Sequence, residues 1–161
     1  MNVQLIGGLY DAGGNTVDAD FASPAVALAP GEALPYDFTT FLSPDVKPDV
    51  STFTAYVDPY WTYTAYSQTV PLKVEGLSSQ NDNGMLTVTA DVVNDQTFNL
   101  DYAYAIGTVT DATGKVVGYN YTTTSALTSG AKETVNFTIY ADPSLDPTTL
   151  QVNVIARASK P

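Results

Sequence analysis

The chain contains no cysteine and no histidine, and each absence removes a class of chemistry. Without a thiol there is no disulfide, no cysteine nucleophile and no thiolate metal site. Without imidazole there is no Ser-His-Asp or Cys-His set and no histidine-built zinc or copper centre. Cations are scarce as well: Lys and Arg number 6 against 17 Asp and Glu, for a formal net charge of −11. A phosphate backbone is gripped by clustered Lys and Arg, so nucleic acid is a poor partner, and an anionic membrane surface is disfavoured on the same ground. No apolar run approaches the ~18 residues of a membrane span, so no membrane insertion is expected. Catalysis would have to rest on carboxylates, Tyr, Ser, Thr or a few Lys, and nothing singles out a working pair among the many Asp residues. The expectation is a protein that is not an enzyme and uses no cofactor or metal.

What is present is ordinary apolar content, 44%, with only 14% charged residues, the balance of a folded chain rather than a disordered one. Its 161 residues suffice for one large or two small domains. Thr, Tyr, Asn and Asp are abundant while Lys and Glu are few, a balance that suggests an extracellular or cell-surface location. Segments such as Met85-Leu86-Thr87-Val88-Thr89-Ala90-Asp91-Val92 and Leu150-Gln151-Val152-Asn153-Val154 alternate apolar with polar residues, the period of a half-buried strand. No window of helical length carries a comparable stripe. Turn clusters separate the strands at short intervals, as at Asp11-Ala12-Gly13-Gly14-Asn15 and Asp111-Ala112-Thr113-Gly114-Lys115. The spacing predicts an all-β sandwich.

An internal repeat refines this. Residues from Ile6 to Val17 match those from Ile106 to Val117, including Asp11 with Asp111 and Gly14 with Gly114. Leu28-Ala29-Pro30-Gly31 answers Leu127-Thr128-Ser129-Gly130, and Phe38-Thr39 answers Phe137-Thr138. Farther on, Phe53, Ala55 and Val57 are matched with Leu150, Val152 and Val154. A period of about a hundred residues is the size of one immunoglobulin-like sandwich. The fold expected is therefore two tandem immunoglobulin-like β-sandwiches, over residues 1–66 and 67–161. The second copy has two further strands, within residues 71–101, ahead of its matched stretch. The first has no counterpart, so the first sandwich is expected to lack its opening strands. Unpaired backbone groups beside an open apolar groove are costly unless something fills it. An upstream part of a longer protein, a strand from a neighbouring subunit, or closure by another route would each serve.

The Asp-x-x-Gly-x-Val turn after an alternating strand, followed by Leu-x-x-Gly leading to a Phe-containing strand, resembles the FxLYD-type domain. That family comprises immunoglobulin-like modules of secreted and surface-attached prokaryotic proteins. The motif stands in the first copy as Gly7-Gly8-Leu9-Tyr10-Asp11, with Gly7 where the family prefers Phe. In the second copy only Val109 and Asp111 keep to it, with Thr110 in place of the Tyr. The resemblance implies a sandwich in an extracellular, non-catalytic setting, with no catalytic residue to carry over.

Several side-chain groups are candidates for function. Tyr60, Trp61, Tyr63 and Tyr66 form an aromatic cluster between the copies; exposed, it would serve a protein interface or stack on a glycan, and buried, it would pack the joint. Tyr102, Tyr104, Tyr119 and Tyr121 recur at period two and are expected to pair across neighbouring strands. Asp18 with Asp20, Asp142 with Asp146, and the run Asn81-Asp82-Asn83-Gly84 lack the convergent oxygens of a calcium site and read as solvated turns. Asn120 and Asn136 head Asn-x-Thr sequons and are candidate glycosylation sites if they face outward. The favoured function is a structural subunit of an extracellular assembly such as a filament, pilus-like fibre or surface stalk. It would form a homo-oligomer or polymer by strand addition, a donated strand entering the groove around Val3, Leu5 and Leu9. The alternative is a carbohydrate-binding or adhesion module that uses the Tyr and Trp cluster.

Overall fold

The computed structural model describes residues 3–22, 27–28, 31, 33–36, 49–57 and 69–160. Every regular element among them is a strand, as the two-residue periodicity requires. Three strands, β1 (Leu5–Tyr10), β2 (Thr16–Ala22) and β3 (Asp49–Val57), form one antiparallel sheet in the order β2-β1-β3. Six more, β4 (Thr69–Asp82), β5 (Met85–Val93), β6 (Tyr104–Thr110), β7 (Val116–Thr123), β8 (Lys132–Tyr140) and β9 (Gln151–Ser159), form a second in the order β7-β6-β9-β4-β5-β8. Backbone contacts divide the chain into two units, Met1–Tyr66 and Ser67–Pro161.

The second unit is β-sandwich-like because β4 changes partners along its length. Residues 69–72 pair with β9, and residues 73–82 pair with β5 across an irregularity between Glu75 and Ser78. Gly76, in the left-handed region at φ 59°, supplies the backbone freedom for that bulge. The sheet thereby folds over itself, and β8 comes to rest against β6 and β7. Alternation then builds the core: Leu86, Val88, Ala90 and Val92 of β5 meet Val135, Phe137 and Ile139 of β8, with Ala105 and Val109 of β6 and Val154 and Ala156 of β9 beneath. Val88, Val92, Val109 and Ile139 are wholly excluded from water. Burial of such side chains contributes about 1.5–3 kcal/mol each, and this is the main stabilising term.

The hairpin turns follow the expected chemistry. Gly14 and Gly114 both adopt φ 81°, and the Asp11 and Asp111 backbones close matching turns: Gly14 N–H donates to Asp11 O at 3.0 Å and Gly114 N–H to Asp111 O at 2.9 Å. Asp111 Oδ1 also accepts the Thr113 hydroxyl at 2.6 Å and the Thr113 N–H at 2.8 Å. The Thr113 hydroxyl, then the backbone N–H groups of Thr113 and Lys115, hold Asp111 below its ordinary value of 3.8. Asn15 does the same for Asp11, while Lys132 followed by Thr134 lowers Asp91.

One buried polar residue ties the loops together. Asn94 is fully enclosed, and its Nδ2 donates to the carbonyls of Phe98 at 2.9 Å and Leu127 at 3.0 Å. Its Oδ1 accepts the Gln96 N–H at 3.1 Å, its own N–H donates to Ala131 O at 2.8 Å, and its carbonyl accepts the Gly130 N–H at 2.9 Å. The β5–β6 connection is thus clamped to the β7–β8 connection. Sequence reading gave no hint of this role, since Asn94 sits in an ordinary polar cluster.

Replacing Asn94 with Ala removes the side-chain donor to the Phe98 carbonyl and the acceptor of the Gln96 N–H, and leaves the Leu127 carbonyl with the Leu100 N–H alone. Denaturant titration is expected to show a lowered midpoint at unchanged slope, corresponding to a loss of about 1–3 kcal/mol. The depressed carboxylates set the acid limb of stability. Each contributes while ionised, above its ordinary value, and the contribution is lost as pH falls through the lower folded value. The Tm is expected to hold from about pH 7 to about pH 5 and to fall below about pH 4, by less in an Asp111→Asn variant.

Candidate functional site

The first unit's sheet repeats one part of the second unit's sheet: β1 pairs with β2 as β6 pairs with β7, and β1 pairs with β3 as β6 pairs with β9 as far as Gly8, beyond which β1 and β3 carry an irregularity that β6 and β9 lack. Gly7 lies opposite Asp20 and Leu9 opposite Asp18, as Gly107 lies opposite Asn120 and Val109 opposite Gly118. Both hairpins carry the same irregularity just before the turn. On the other side, Gly7 faces Ala55 as Gly107 faces Val154, and Leu5 faces Val57 as Ala105 faces Ala156. Ala55 and Val57 therefore correspond to Val154 and Ala156, two residues beyond the match read from sequence. Side-chain alternation is unchanged by an even shift, which is why the pattern alone did not reveal the slip.

In the second unit this shared face is the seat of β8. A Cβ added to Gly107 would lie 2.5 Å from the Phe137 ring and 2.8 Å from Ile139 Cδ1. A Cβ at Gly118 would lie 2.8 Å from both Ile139 Cγ2 and the Tyr140 carbonyl oxygen. Asn120 Nδ2 donates to the Thr138 carbonyl at 2.6 Å, fastening β7 to β8. The two glycines are thus required by close approach, and Asn120 closes the seam.

On the corresponding face of the first unit lies a cleft of about 420 Å³. Gly7 and Leu9 form its floor, Asp18 and Asp20 stand on one side, and Tyr36 and Phe53 contribute aromatic surface. Phe53 keeps 42% of its surface exposed. Asp18 Oδ1 accepts the Ala19 N–H at 2.8 Å and Asp20 Oδ1 accepts the Phe21 N–H at 2.7 Å. Two backbone donors of the outer strand β2 are therefore taken up by its own side chains, a device that blunts a sheet edge.

The residues singled out from sequence distribute as follows. Leu9 lines the cleft, Leu5 is buried beside it on the same strand face, and Val3 is half-buried just ahead of β1. Tyr60, Trp61, Tyr63 and Tyr66 lie outside the described residues. Asn136 is exposed, with its Oδ1 accepting the Thr89 hydroxyl at 2.6 Å. Asn120 instead points to the core side, because it shares a face with Gly118, and its amide is committed to Thr138. Tyr102, Tyr104, Tyr121 and Tyr119 form one row, Tyr102 to Tyr104 at 5.4 Å, Tyr104 to Tyr121 at 6.0 Å and Tyr121 to Tyr119 at 6.3 Å between ring centres. Burial, with Tyr102 and Tyr121 alongside, pushes the Tyr104 hydroxyl above its ordinary value.

No cluster of three or more acidic side chains suited to a metal ion occurs among the described residues. Asn81 Oδ1 caps the Gly84 N–H at 2.9 Å in the β4–β5 turn, and Asp142 and Asp146 cap Ser144 and Thr148, so these groups serve turns. Asp18 and Asp20, by contrast, belong to a strand. Sequence spacing missed their role because only the pairing with β1 places them beside Gly7 and Leu9.

Transplanting the first unit's residue into the second tests the closeness of the β8 seat. Gly118→Asp is expected to destabilise the second unit by about 1–3 kcal/mol or more, read from thermal or denaturant unfolding, since the new side chain meets main chain that cannot yield cheaply. An unchanged midpoint would show that β8 does not need that space. In comparisons with known proteins, no family model, no curated protein and no solved structure matches the chain.

Proposed function

We propose that this chain is a non-catalytic structural subunit of an extracellular assembly, in which a strand donated by a neighbouring subunit completes the first unit. In this reading both units are immunoglobulin-like sandwiches of the FxLYD type. The observation that carries it is the cleft over Gly7 and Leu9, on a sheet face whose counterpart in the second unit is covered by further strands. A face that buries Phe137 and Ile139 in one copy has the shape to accept alternate apolar side chains in the other. Exposed Phe53 at the cleft and the 60% exposure of Phe21 on the opposite face of the same sheet support burial by something further.

The edge chemistry favours one side for the incoming main chain. Asp18 and Asp20 blunt the β2 edge, while β3 corresponds to β9, whose far edge pairs with residues 69–72 of β4. Donation of this kind joins unlike surfaces of successive subunits, a heterologous contact that builds fibres wherever the rotation between subunits does not close a ring.

Light scattering on the purified chain after size-exclusion chromatography tests the proposal. Species of several chains that persist on dilution are expected. A single-chain mass at every concentration overturns self-assembly by donation. A Phe53→Ser variant should shift the distribution towards the single chain while leaving the second unit's unfolding midpoint in place.

A further inference from the structure

A sandwich sheet ordinarily turns one face to the core and gives the other to water. The outer face of the β7-β6-β9 sheet departs from this. Alternation sets Ala105 and Val109 of β6 in the core and Tyr104, Ile106 and Thr108 on the outer side. Register then lays Tyr121 and Ile155 on the two flanks of Ile106, Tyr119 and Asn153 on those of Thr108, and Thr123 and Arg157 on those of Tyr104. Ile106, at the centre, keeps 2% of its surface, while Tyr121 keeps 47%.

The first unit carries the same feature. Ile6 takes the place of Ile106, with Phe21 on one flank and Tyr56, 56% exposed, on the other. Where the second unit has Tyr119 beside Thr108, the first has Ala19 beside Gly8, and Tyr10 of β1 lies across the gap. A Cβ at Gly8 would come within 2.9 Å of the Tyr10 hydroxyl oxygen, and the Thr54 hydroxyl donates to that oxygen at 3.4 Å. Different side chains thus build an aromatic outer face at matching positions of two sheets.

The chemistry of these faces narrows what they receive. The aliphatic centre of the second is already covered, so rings and hydroxyls are left to a visitor, interleaved with Thr108, Thr123 and Asn153. A protein partner is gripped by an apolar core inside a polar rim, whereas here polar groups run between the rings. None of these positions is a carboxylate, in a chain with 17 Asp and Glu, and the net charge of −11 repels a polyanion. A sugar ring suits such a surface: its slightly positive C–H face meets the negative face of an aromatic ring, and its hydroxyls bond to hydroxyl, amide and guanidinium groups. Ring centres 6.0 and 6.3 Å apart along Tyr104, Tyr121 and Tyr119 are spaced about as successive sugars of an extended chain.

We infer that the outer faces of both sheets bind a neutral, extended polysaccharide, which stacks on Tyr121 and Tyr119 in the second unit and on Phe21, Tyr56 and Tyr10 in the first. This site lies on the opposite side of β1 from the cleft over Gly7 and Leu9 and does not depend on strand acceptance. Subunits of an extracellular assembly would be tied through it to a glycan matrix.

Affinity electrophoresis of the full chain through native gels containing hydroxyethyl cellulose, xylan or galactomannan tests the inference. Retardation by at least one of these neutral polymers is expected, with none by anionic carboxymethyl cellulose. Tyr121→Ser should raise the dissociation constant about fivefold, as for loss of one aromatic contact, while Tyr121→Phe, which keeps the ring, should change it little. Phe21→Ser reads the first unit separately, so the test holds even where Tyr121→Ser folds poorly, and the double variant should migrate as in a plain gel. Free passage through all three neutral polymers overturns the inference, as does undiminished retardation of the double variant. If light scattering instead shows that Tyr121→Ser dissociates an oligomer while no polymer retards the parent chain, the face is a contact between copies and the glycan is overturned. Neither result bears on strand donation, which the Phe53→Ser variant reads.

Discussion

The closeness of β8 to β6 and β7 is the constraint on which the second unit depends. Two glycines, Gly107 and Gly118, face β8, and even a methyl group at either would come within 2.5 to 2.8 Å of the Phe137 ring, the Ile139 side chain or the Tyr140 carbonyl. Strand interiors ordinarily penalise glycine, because its flexible backbone must be ordered and it offers no side chain to pack. Here that penalty is offset by burial of an aromatic ring and a branched aliphatic side chain directly on the backbone of the facing strands. The Asn120 amide then bonds the β8 main chain at the point where apolar packing ends. With the core closed on this side, the remaining strands can alternate apolar and polar residues in the ordinary way.

The loops are held by a different kind of interaction. Asn94 satisfies carbonyls from two connections while wholly buried, and Thr124 does similar work, its hydroxyl accepting the Ala103 N–H at 2.9 Å and donating to Ser125 O at 2.8 Å. A buried polar group is tolerable only when its hydrogen bonds are made, so each of these residues fixes one arrangement of the chain around it. Apolar burial drives closure, and these few polar residues select which closure.

The first unit repeats the frame and alters the seat. Its strands β1 and β2 keep the register of β6 and β7, β1 and β3 keep that of β6 and β9 from Leu5 to Gly8, and the Asp11 turn reproduces the Asp111 turn down to the same φ at Gly14 and Gly114. Yet the positions that admit and fasten β8 in the second unit carry carboxylates in the first. One framework thus presents an apolar face with an amide donor in one copy and an apolar face with an anionic rim in the other. In the second unit these two positions meet the β8 main chain, Gly118 at the Tyr140 carbonyl and Asn120 at the Thr138 carbonyl.

Much of the architecture was legible in the residues themselves. Two-residue alternation dictated strands, Asp-x-x-Gly dictated the matching turns, and the offset between Ile6 and Ile106 disclosed the repeated hairpin, because all three depend on local backbone geometry and on neighbours a few residues away. The absence of Cys and His excluded whole chemistries for an equally local reason. Other features belong to the tertiary structure alone. The match of β3 to β9 was read two residues short, the inward turn of Asn120 reversed the facing its sequon requires, and the meeting of Asp18 and Asp20 with Gly7 and Leu9 had no trace in linear spacing. The physical reason is common to all three: sequence alternation tells a strand that it has two faces, but which face is covered, and by what, is decided only when strands distant in the chain are brought into register against one another.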